Sequence, residues 1–82
     1  MDIAAYRKAL HDYVKEAMEN TDGSNQEVAG YLWEKRVSGW FTPNKTEKQR
    51  ALDDARKAFD DHRHWPVEII LSHLGVELNK PE

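Results

Sequence analysis

Between Ile3 and Met18 apolar side chains return every three or four residues: Ile3, Tyr6, Leu10, Tyr13, Val14, Ala17 and Met18. That spacing lines one face of a helix and is incompatible with a strand, whose faces alternate at every second residue. Arg7, Lys8, Asp12, Lys15, Glu16 and Glu19 fill the opposite side as a solvated surface. Asp2 stands where a capping side chain belongs, and Asn20-Thr21-Asp22-Gly23 is a turn cluster that ends the pattern. A first helix over 3–20 follows, and the rest of the chain must cover its apolar face.

Three further helices are predicted. Ser24-Asn25-Gln26-Glu27 has the spacing of a capping box, in which a hydroxyl and a carboxylate each satisfy the other's backbone N–H. It opens a helix over 25–38 through Val28, Ala29, Tyr31, Leu32, Trp33, Arg36 and Val37, with Gly39 as the stop. Thr46-Glu47-Lys48-Gln49 repeats the box and opens a helix over 47–63. Its apolar stripe is thin: Leu52, Ala55, Ala58 and Phe59, with Ala51 at the edge. Asp53–Lys57, Arg50–Asp54, Arg56–Asp60 and Lys57–Asp61 lie four apart and form a charge lattice on the solvent side. Trp65-Pro66 breaks this helix, and Pro66 begins a fourth over 66–74 with Val67, Ile70, Leu71 and Leu74 inward and Gly75 as its stop.

The expected fold is therefore all-α: one compact four-helix domain spanning 1–82, with a frayed tail from about residue 79. Helix one is expected to offer the broadest apolar face, with helices two and four on it and the lattice of helix three facing water. Eighty-two residues suit a single core. Three Trp, three Tyr and two Phe make the chain too aromatic for a disordered one. Without Cys there is no disulfide, thiolate metal site or thiol nucleophile. No apolar run approaches a membrane span, and Asp2 followed by a helical pattern is not a signal sequence. The expectation is a complete soluble protein, cytoplasmic by default, as a monomer or a weak homodimer. The near-heptad run 3, 6, 10, 13, 17 is the feature that would serve a dimer.

Catalytic constellations fail on spacing. His62 and His64 are two apart and diverge around a helix, whereas helical metal pairs use four-residue spacing. An ion at Asp60, His62 and His64 would need the helix to fray. The simpler reading places His62, His64 and His73 at helix C-termini, where positive charge is favoured, and His11 at the edge of the first stripe. Ser24 is already a cap, and Ser72 and His73 point apart. There is no nucleophile elbow, phosphate loop or dinucleotide fingerprint. Gln26-Glu27-Val28-Ala29 resembles the opening of a helix-turn-helix, but Trp33-Glu34-Lys35-Arg36 lacks the turn that motif requires. No enzymatic activity, cofactor or metal is expected.

The remaining candidate is 35–50, KRVSGWFTPNKTEKQR, which sets Trp40 and Phe41 in an interhelical turn among five bases and one acid. Two readings of the rings stand side by side. They plug the open end of the bundle near Trp33 and Trp65, the commoner fate of large rings in a small domain. Or they anchor a partner protein, with Lys35, Arg36 and Lys45 as the charged rim. The function expected on the second reading is a small non-enzymatic adaptor, regulator or inhibitor that docks on another protein through Trp40 and Phe41. The alternative is nucleic-acid binding by the same basic-aromatic segment, against which stands the net charge of −3.

Overall fold

The computed structural model describes residues 2–35 and 45–78. Among them are four helices and no strand: α1 (Ile3–Glu19), α2 (Asn25–Glu34), α3 (Glu47–Asp61) and α4 (Val67–Leu74). The all-α expectation holds. The expected fraying from residue 79 lies outside the described residues.

The helix starts follow the expected chemistry, with one change. The Asp2 carboxylate accepts the Ala4 and Ala5 N–H groups at 3.0 and 3.2 Å. Thr46 and Gln49 complete a reciprocal capping box: Gln49 N–H donates to Thr46 Oγ1 at 3.3 Å, and Thr46 N–H donates to Gln49 Oε1 at 2.7 Å. At α2 only the hydroxyl half forms, with Ser24 Oγ accepting from Glu27 N–H at 3.4 Å. The Ser24 N–H is already taken by Asp22 Oδ1 at 2.9 Å, which leaves the Glu27 carboxylate no N-cap donor to reach. Pro66 is the residue before α4, not its first. Gly75 adopts a φ of 74°, and Val76 N–H returns to Leu71 O at 2.9 Å, closing α4 as a glycine-stopped helix does.

The centre of the core is α3, not α1. Seven α3 residues are buried, against four on α1, and α1, α2 and α4 all pack on it. Ala51, Ala55 and Ala58 allow close approach, while Leu52 and Phe59 fill the space between them. Leu10, Val14 and Ala17 of α1, Val28 and Leu32 of α2, Ile70 of α4 and Val76 close the same cluster. Ile3, expected inward, overhangs the end of α1 and is 52 % exposed. Of α4 only Ile70 is buried, and Ile69 is 51 % exposed.

The solvent lattice on α3 is largely replaced. Asp53–Lys57 forms, at 3.1 Å. Asp54 instead accepts from the Tyr6 hydroxyl, and Lys57 is drawn to Asp53 rather than Asp61. Arg56 turns inward and is 3 % exposed. Its Nε donates to Leu32 O at 2.6 Å and its Nη2 to Lys35 O, while its guanidinium lies 5.4 Å from the Trp33 ring centre.

That contact accounts for the largest boundary difference. The predicted α2 runs to residue 38, yet Lys35 is already extended, with φ −66° and ψ 131°. The Arg56 fork satisfies carbonyls that another helical turn would have used, and its charge complements the negative end of the α2 dipole. The predicted stop at Gly39 lies outside the described residues. Arg56→Ala is expected to lower unfolding free energy in urea by about 3 kcal/mol, because buried carbonyls lose a charged donor. Arg56→Lys, which lacks the planar fork, should recover only part of that loss.

Candidate functional site

Of the five residues expected to bind a partner, Arg36, Trp40 and Phe41 lie outside the described residues. Lys35 and Lys45 stand at the two ends of that segment, and both meet acids. Lys35 Nζ donates to Glu16 Oε2, which also accepts the Tyr31 hydroxyl at 2.6 Å. Lys45 Nζ is 3.6 Å from Asp53 Oδ2, the carboxylate that Lys57 shares.

The Glu16 cluster ties α1 to the exit of α2. The Lys35 ammonium, and after it the Tyr31 hydroxyl, hold the Glu16 carboxyl below its ordinary range. In return Glu16 raises both Lys35 and Tyr31. Burial raises the nearby Tyr13 hydroxyl. Beside this cluster Trp33 occupies the last turn of α2, 42 % exposed and backed by Arg56. A tryptophan so exposed at the entry to an aromatic segment offers area to whatever approaches.

A second locus was not foreseen. Where α1, α3 and α4 meet, Tyr6, Asp54, Asp61, His62 and His73 line a polar groove of about 320 Å³. The Tyr6 hydroxyl donates to Asp54 and is pushed up to about 12, first by burial and then by that carboxylate. His62 caps the end of α3 and stacks on Trp65, with centroids 3.8 Å apart and planes at 11°. His73, in the last turn of α4, meets both edge-on, at 5.1 Å from His62 and 5.9 Å from Trp65. Asn25 at the start of α2 holds the turn in place, its Nδ2 donating to Arg63 O at 2.9 Å and to Trp65 O.

The Asp60–His62–His64 grouping does not assemble. His62 belongs to the Trp65 stack, while Asp60 and His64 are exposed. Among the described residues no group of three or more His, Asp or Glu could hold a metal. The helix-turn-helix resemblance fails in space as well: residues 35–46 separate α2 from α3, far more than that motif's turn. The available hint of the ring cluster was the three-residue spacing of His62 and Trp65. Its third member came from another helix, which spacing along the chain does not reveal.

A raised Tyr6 pKa means that the folded state keeps a proton the unfolded chain has lost. Its contribution to stability is therefore full below about pH 10 and declines as pH rises towards 12. Tyr6→Phe should flatten, without abolishing, the alkaline fall in urea midpoint between pH 9 and 12, because Tyr13 and Tyr31 shift in the same sense. An unchanged slope would mean that Tyr6 does not hold its proton more tightly in the folded state than in the unfolded chain. No known protein family, curated protein or solved structure matches the chain.

Proposed function

We propose that the protein is a non-enzymatic interaction module that docks on another protein through the segment 36–44, with Trp40 and Phe41 as anchors and Trp33, on the last turn of α2, as a further contact. The observation that carries this reading is Trp33, 42 % exposed on the last turn of α2 where the chain enters that segment. Tryptophan is among the residues that dominate interface energetics, and one held against a buried arginine loses little freedom on binding.

The nucleic-acid reading is disfavoured by the same geometry. Lys35 and Lys45 face Glu16 and Asp53, so their charge is offset before any phosphate approaches. Recognition by rings rather than by charge fits an acidic chain better.

The test compares wild type with the double variant Trp40→Ala/Phe41→Ala as bait in a lysate of the native host, followed by titration with any captured protein. The expected result is at least tenfold weaker binding with a melting temperature within about 2 °C of wild type, in keeping with the loss of hot-spot rings. Unfolding of the variant would identify the rings as core, and undiminished binding would place the interface elsewhere. A mobility shift with single-stranded DNA or RNA at low salt, lost in the double variant, would favour the nucleic-acid reading instead.

A further inference from the structure

We infer that His62 and His73 form a two-imidazole site for a divalent transition-metal ion such as Zn²⁺, linking the end of α3 to α4. It stands independently of the docking surface. The two rings come from different helices and have centroids 5.1 Å apart. An imidazole nitrogen binds Zn²⁺ at about 2.0–2.1 Å, so the ring centre lies about 3.2 Å from the ion, and two rings at the tetrahedral angle stand about 5.2 Å apart. The observed separation matches. Their planes cross at 74°, which rotation about the metal–nitrogen bonds allows.

The surroundings favour a cation. Neither ring has a hydrogen-bond partner among the described residues, so their nitrogens are not committed elsewhere. The Trp65 stack engages the face of His62 and leaves its edge free. Asp54 and Asp61 line the same groove, while Lys57, its ammonium, is drawn off to Asp53. Two protein ligands fall short of the three or four of a structural zinc site, and among the described residues no third His, Asp or Glu is grouped with them. Water from the open groove completes the shell, giving an exchangeable site. Imidazole nitrogen suits Zn²⁺, Cu²⁺ and Ni²⁺ and disfavours Mg²⁺ and Ca²⁺.

The consequence is mechanical. α4 buries only Ile70, and the His62–Trp65–His73 rings form part of its contact with α3. An ion held by both histidines would fasten the most lightly anchored helix to the core and stabilise the folded state by mass action.

The experiment uses the full chain without an affinity tag, stripped with chelator and titrated with ZnCl₂. One ion per chain should bind, and the melting temperature should rise by roughly 5–10 °C for each tenfold of free Zn²⁺ above Kd. Imidazole resonances of His62 and His73 should move while those of His11 and His64 stay. His73→Gln, at an exposed position, should remove both binding and the thermal shift, as should His62→Gln, and His64→Gln should retain them. Absence of binding at 1 mM Zn²⁺ (an arbitrary ceiling of about 10⁻³ M, worth only about 4 kcal/mol) would overturn the site. So would binding that survives His73→Gln, or resonance changes confined to His11 or His64.

Discussion

The buried guanidinium of Arg56 is the interaction on which the rest of this structure turns. A charge in the core of a small domain is costly unless its donors are met. Here Leu32 O and Lys35 O meet them, at the negative end of α2. One contact thereby does three things. It ends α2, holds α2 on α3, and sets the Trp33 ring against the guanidinium. The neighbouring Glu16, bonded to Lys35 and Tyr31, fastens the same exit to α1. The end of α2 is thus anchored to both α1 and α3.

Local chemistry made much of this fold legible. Asp2, Ser24 and Thr46 cap the helices that their spacing announced, and Gly75 stops the last one. These devices act within four or five residues, so a linear pattern contains them whole. The stripe of α1 was equally plain, and Leu10, Val14 and Ala17 are buried as its spacing required.

What stayed hidden depends on partners distant in sequence. Arg56 and Asp60 stand four apart and look like a surface pair, and nothing near Arg56 reveals that α2 presents open carbonyls to it. Asp54 looked like a partner for Arg50 until α1 brought the Tyr6 hydroxyl to it. The stripe of α3 seemed thin because alanines count little by hydrophobicity. Their small size is what lets three helices approach, so α3 rather than α1 became the centre. The groove at His62 and His73 joins residues eleven positions apart across a proline break, and only the turn held by Asn25 brings them together.

The two candidate loci divide along the nature of their contacts. At the exit of α2 the charges are internally matched: Lys35 with Glu16, Lys45 with Asp53, and Arg56 with main-chain carbonyls. What that surface exposes is the Trp33 ring, and on the proposed reading recognition there would depend on shape and desolvation. At the groove His62 stacks on Trp65, His73 meets both rings edge-on, and Asp54 and Asp61 line the same space. That favours a small cation over a macromolecule, because a polar groove of about 320 Å³ has little apolar area for an anchor residue. α3 supports both, with Arg56 at one locus and His62 at the other, so a change in its packing would be felt at each.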